Sequence, residues 1–99
     1  MDKIQVEIDK DLEPIFDSFL GNRKKDLDML NDAISSSDFK TVETIGHKLA
    51  GNAGSYGLPD LGHIGGKLED CAISQEIEKI KALYQDYKDY INNLEIKFV

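Results

Sequence analysis

The chain has 99 residues, 40% of them hydrophobic and 31% charged, which suits one packed domain over 1–99. Against 12 basic residues stand 19 acidic ones, and the net charge of −7 argues against nucleic-acid binding. No run approaches a membrane span, Met1-Asp2-Lys3-Ile4-Gln5 lacks the apolar run of a signal peptide, and a single cysteine, Cys71, excludes an internal disulfide; together these fit a cytoplasmic protein with no membrane.

Leu12, Ile15, Phe16, Phe19 and Leu20 follow i, i+3, i+4, i+7, i+8 spacing and predict a short first helix. Asp9 or Asp11 can cap it, and Pro14 falls in its first turn, where a missing N–H costs little. Gly21 marks a break or kink, after which Leu27, Leu30 and Ile34 carry a second helix over about 22–35. Arg23-Lys24-Lys25 fans around that helix and reads as solvated surface; its natural role, if any, is to steer an acidic partner. Ser35-Ser36-Ser37-Asp38 is a turn, with Ser37 or Asp38 capping a third helix over about 39–56. Gly57 is that helix's natural left-handed terminator.

Pro59 opens a fourth helix with Leu61, Ile64, Leu68 and Ala72 as its buried stripe. Ser74 caps a long fifth helix in which Ile77, Ile80, Tyr84, Tyr87, Ile91 and Leu94 keep the 3.6 period. Nothing reads as a strand; residues 94–99 alternate weakly and read as a fraying end. The expected fold class is therefore all-α: an antiparallel four-helix bundle with a short N-terminal capping helix.

The third helix carries the chemistry. At 100° per residue, Val42, Ile45, Leu49, Ala53 and Tyr56 share one side, which a bundle would bury. His47 falls on the other side, beside Ala50, Gly51 and Gly54. Each interior glycine costs a helix about 1 kcal/mol relative to alanine. Bare backbone beside an exposed imidazole gives a bulky partner access to His47. His63 lacks this surround and reads as a surface histidine, and Cys71 has no histidine close in sequence to make it a nucleophile.

The run from Gly46 and His47 through Gly51, Gly54, Ser55, Gly57, Pro59 and Leu61 to Lys67-Leu68-Glu69 resembles the histidine-containing phosphotransfer (HPt) family. His47, Gly51, Gly57, Leu68 and Glu69 match the ordered positions of the family's pattern. The opening from Asp11-Leu12 to Asp26-Leu27 is also similar, so the resemblance covers roughly 6–95. It implies a phosphocarrier that accepts a phosphoryl group on His47 from a receiver-domain aspartyl phosphate and passes it to another receiver. It is not an autonomous enzyme. Its implied partners are response-regulator receiver domains and a (hybrid) histidine kinase, with the chain itself a monomer. No cofactor or metal is implied on this chain; the divalent ion belongs to the receiver.

Within that resemblance, Glu69 orients His47 by accepting from Nδ1–H, which leaves Nε2 free. Gly62 and Gly65 would let the third and fourth helices approach closely. The family usually has a lysine three residues after the histidine; here that residue is Ala50, which leaves Lys48, or Lys67, to stabilise phosphoryl charge. Thr44, Lys48, Gly51, Gly54 and Ser55 form the expected partner-binding rim, with apolar help from Ile15 or Phe16. Ala50 also supports a different class, a degenerate interaction bundle that binds a receiver without carrying phosphate. A di-iron bundle would need inward Glu-x-x-His motifs, which are absent, and no nucleophile–base pair suggests a hydrolase.

Overall fold

The computed structural model describes residues 3–99. It is mostly helical, with four helices and a small sheet. The two helices expected on either side of Gly21 are one: α1 runs unbroken over Glu13–Ser35, with Pro14 in its first turn. Gly21 is exposed, and burial of Phe16, Phe19, Leu27 and Leu30 along one side of α1 holds the helix through it. Ahead of α1 stands a single 3₁₀ turn, Lys10–Leu12, in which the Asp9 carboxylate accepts from Asp11 N–H at 2.9 Å.

Helix α2 covers Phe39–Asn52 and tightens into a 3₁₀ turn over Ala53–Tyr56. Its start is capped by Asp38, whose carboxylate accepts from the Thr41 hydroxyl at 2.6 Å and from Thr41 N–H at 3.1 Å. Both bonds, the hydroxyl's first, hold the Asp38 carboxyl below the usual aspartate range. Helix α3 covers Pro59–Ile73 and α4 covers Ile77–Asn93. Ser74 does not cap α4. Its hydroxyl donates back to the Asp70 carbonyl at the end of α3, and Glu76 occupies the cap position without a side-chain cap bond.

Three helix ends close in the same way. Asp38 N–H donates to Ala33 O at 2.8 Å, Leu58 N–H to Ala53 O at 3.0 Å and Glu76 N–H to Cys71 O at 2.9 Å. Each closure places one residue in the left-handed region: Ser37 (φ 55°), Gly57 (φ 81°) and Gln75 (φ 55°). That conformation costs an L-residue roughly 1–2 kcal/mol, partly offset in a glycine variant by the freer unfolded chain. Ser37→Gly and Gln75→Gly are therefore each expected to stabilise the fold by about 0.5 kcal/mol, read as a higher urea midpoint at unchanged slope. A lowered midpoint would contradict this.

The all-α expectation is corrected by the chain ends. Strand β1, Ile4–Ile8, pairs in parallel with β2, Leu94–Phe98, in register from Ile4↔Leu94 to Ile8↔Phe98. Bonds from Lys10 N–H to Val99 O (2.9 Å) and Val99 N–H to Ile8 O (2.8 Å) extend the ladder. Ile4, Val6, Ile8, Leu94, Ile96 and Phe98 turn toward the core, while Lys3, Gln5, Glu7, Glu95 and Lys97 are exposed. The weak alternation at 94–98 is thus a half-buried strand and not a fraying end.

Leu30, Leu49, Leu58, Leu61, Leu68, Ile80 and Tyr87 form the centre of the core. Burial pushes the Tyr87 hydroxyl pKa up, and that hydroxyl donates to the Arg23 carbonyl at 3.3 Å. Arg23 itself departs from the solvated reading of the basic triplet. Its side chain is only 11% exposed, pairs with Asp26 at 2.9 Å and lies 4.8 Å from the centre of the Phe19 ring.

Candidate functional site

The site forms on the seam between α2 and α3, the most closely packed helix pair. Val42, Ile45, Leu49 and Ala53 are buried and Tyr56 is half-buried, so one side of α2 faces the core. Gly46 lies within that buried side, and its backbone meets that of Gly65. A Cβ on Gly46 would lie 2.6 Å from Gly65 O and 2.7 Å from Glu69 N. A Cβ on Gly65 would lie 2.7 Å from Ala50 N. Gly62, expected to share this role, has its nearest neighbours at an ordinary 3.8 Å. Sequence reasoning missed Gly46, although its spacing (four residues after Val42, three before Leu49) is that of the buried stripe.

His47 follows Gly46 directly and turns the other way: its side chain is 76% exposed. The His47 Nδ1 lies 2.7 Å from Glu69 Oε2, joining residues 22 apart in the chain. An ionised carboxylate can only accept, so this contact is a hydrogen bond in the tautomer that carries the proton on Nδ1. In the neutral ring Nε2 then keeps its lone pair.

Lys40, Glu43, Thr44 and Lys48 complete a shallow cleft around His47 and Glu69. Lys40 lies 3.9 Å from Glu43, whereas Lys48 makes no ion pair among the described residues. The Thr44 hydroxyl donates back to Lys40 O at 3.0 Å. Around Gly51 and Gly54 an added Cβ would meet nothing within 4 Å, so the backbone there is open, and Ser55 beside them is exposed. Lys67 stands elsewhere, in a neighbouring surface groove with Ala50, Gly54, Gly62, His63, Gly66 and Asp70.

Of the two apolar residues expected to help a partner, Phe16 is buried in the core and Ile15 is 47% exposed. A nearer apolar group is Met29 of α1, 53% exposed, which lines a groove with Lys40, Thr44, Ile45 and Lys48. Its place off the Leu27–Leu30–Ile34 stripe is the signal that could have revealed it. Cys71 is half-buried; burial, then the Glu76 charge, push its thiol pKa up, opposite to an activated nucleophile. Among the described residues no group of three or more His, Cys, Asp or Glu side chains could hold a metal ion. No described helix is long and apolar enough to cross a membrane.

Compared with known families, the chain matches the model described as Hpt domain over residues 14–96. No curated protein and no solved structure matches the chain.

Proposed function

Since the chain belongs to the Hpt domain family, whose members serve histidine phosphotransfer in two-component phosphorelays, we propose that His47 is its phosphoryl acceptor. The observation that carries this reading is the 2.7 Å contact between His47 Nδ1 and Glu69 Oε2 on an otherwise exposed ring. In the forward step Nε2 attacks the phosphorus of a receiver aspartyl phosphate in line, the P–O bond to the aspartate breaks, and the carboxylate leaves with that electron pair. The imidazole gains positive charge as the P–N bond forms, and Glu69, ionised and bonded at Nδ1, stabilises it. Transfer to a second receiver reverses these events.

Phosphoryl transfer depends on positioning and charge more than on covalent machinery. Lys48, without an ion-pair partner in the same cleft, is the cation best placed to meet phosphoryl oxygens where Ala50 replaces the usual lysine. The chain acts as a single cytoplasmic domain and as a carrier, not an autonomous enzyme. It brings no metal or cofactor; the receiver supplies the divalent ion. The short connections between helices support an antiparallel bundle. Receiver domains and a histidine kinase are its partners, docking on Thr44, Lys48, Gly51, Gly54 and Ser55.

The direct test is incubation of the wild-type chain with a phosphorylated receiver. Acid-labile, base-stable label on this chain is the expected result. Stable receiver binding without label would instead establish the second reading, a receiver-binding bundle, which Ala50 favours.

Gly51→Gln separates access from folding. Glutamine is the better helix former by roughly 0.5 kcal/mol and meets no neighbour at Cβ, so stability should hold or rise slightly. Phosphoryl uptake should slow about tenfold or more, equivalent to at least ~1.4 kcal/mol in the docking or transfer step. Unchanged uptake in a folded variant would remove Gly51 from the docking surface.

A further inference from the structure

We infer that Gly46 and Gly65 are positioning residues: their backbone contact sets the reach of Glu69 to His47 and so decides which ring nitrogen is free. The inference rests on the phosphocarrier reading for its significance, but not for its test. Glu69 N is itself among the atoms that a Cβ on Gly46 would strike, at 2.7 Å, together with Gly65 O at 2.6 Å and Leu68 Cβ at 3.0 Å. On the opposite wall a Cβ on Gly65 would meet Gly46 O and Leu49 Cβ at 2.8 Å. These neighbours are mostly backbone, which cannot rotate away as a flexible side-chain end does. A single methyl on either glycine therefore drives α2 and α3 apart.

His47 follows Gly46 directly, and Glu69, one helical turn after Gly65, brings its own backbone nitrogen to this contact. Their hydrogen bond is already short, at 2.7 Å, and bonds of this kind weaken steeply as they lengthen. The seam leaves no room for a Cβ on either glycine, and an aspartate at position 69 is one methylene shorter than the glutamate that reaches the ring at 2.7 Å. The glycines therefore do more than permit packing. They fix the one backbone separation at which a glutamate, and not an aspartate, holds the proton on Nδ1.

The tautomer of the neutral ring reads this directly. The measurement is the pair of ring ¹⁵N shifts of His47 above its titration, with exposed His63 as internal reference. The wild-type protein should show protonated Nδ1 as the major form. Gly46→Ala and Gly65→Ala should shift the population toward protonated Nε2. Gly62→Ala, on the same seam but with its nearest neighbour at 3.8 Å, should leave it unchanged. In a Glu69→Ala background Gly46→Ala should have no further effect, as a merely structural role would not require.

Should the alanine variants fail to fold, Glu69→Asp poses the same question without adding an atom to the seam, and it should produce the same shift. The wild-type tautomer in folded Gly46→Ala, or in Glu69→Asp, overturns the inference. An equal shift in Gly62→Ala does so too. None of these measurements needs a receiver or phosphate, so a wild-type chain that accepts no phosphoryl group but shows the expected shifts refutes the phosphocarrier reading alone.

Discussion

His47→Gln is expected to reduce phosphoryl uptake from a phosphorylated receiver to background while the fold is retained. Glutamine keeps a polar, hydrogen-bonding end of similar length, but its amide nitrogen has no basic lone pair to attack phosphorus. The stability change should be small. The ring is 76% exposed, and an exposed ion pair or charge-assisted bond contributes about 0–1 kcal/mol. Uptake is read by label or intact mass, and stability by urea unfolding on the same preparation. Full labelling of the variant would reject His47 as acceptor, and labelling at His63 would move the assignment there.

Phe16→Ala is expected to have the largest effect on stability, about 3–5 kcal/mol, of a total that for such domains is roughly 5–15 kcal/mol. The ring is 1% exposed. It lies 5.8 Å from Phe19, 6.2 Å from Tyr56 and 5.8 Å from Phe98, centre to centre. One side chain thus joins α1, the turn after α2, and β2. Truncation leaves a void bordered by three aromatic rings, and rigid rings collapse poorly into empty space. The urea midpoint should fall sharply, and a loss under about 1 kcal/mol would show that the cluster relaxes around the gap.

The parts of the fold legible in the sequence are those fixed by near neighbours. Pro59 at the start of α3, Asp38 before α2 and Gly57 after Tyr56 each satisfy or terminate a helix end within four residues. The exposed setting of His47 follows from the helical period, and the family motif brought Glu69 into view. Gly21 misled because propensity is local, whereas the apolar stripe of α1 is buried on both sides of it. Arg23 was hidden by its charge, although Phe19 four residues earlier is a stacking partner within one helix. Gly46 escaped because a glycine on a buried stripe looks like a gap until the partner helix is known. The strands escaped because each is five residues long and pairs with the far end of the chain.

That last pairing also orders events in time. Ile4 waits for Leu94, about 90 residues later, before its backbone finds a partner. At about 5–20 residues per second on the ribosome, β1 stands alone for several seconds with Ile4, Val6 and Ile8 uncovered. The helices, built from contacts close in sequence, form sooner, and closing so long a loop adds little rate until they have drawn the ends together. The sheet is therefore expected to assemble last. Nascent chains halted before residue 94 are the ones most exposed to chaperones, and to pairing with one another.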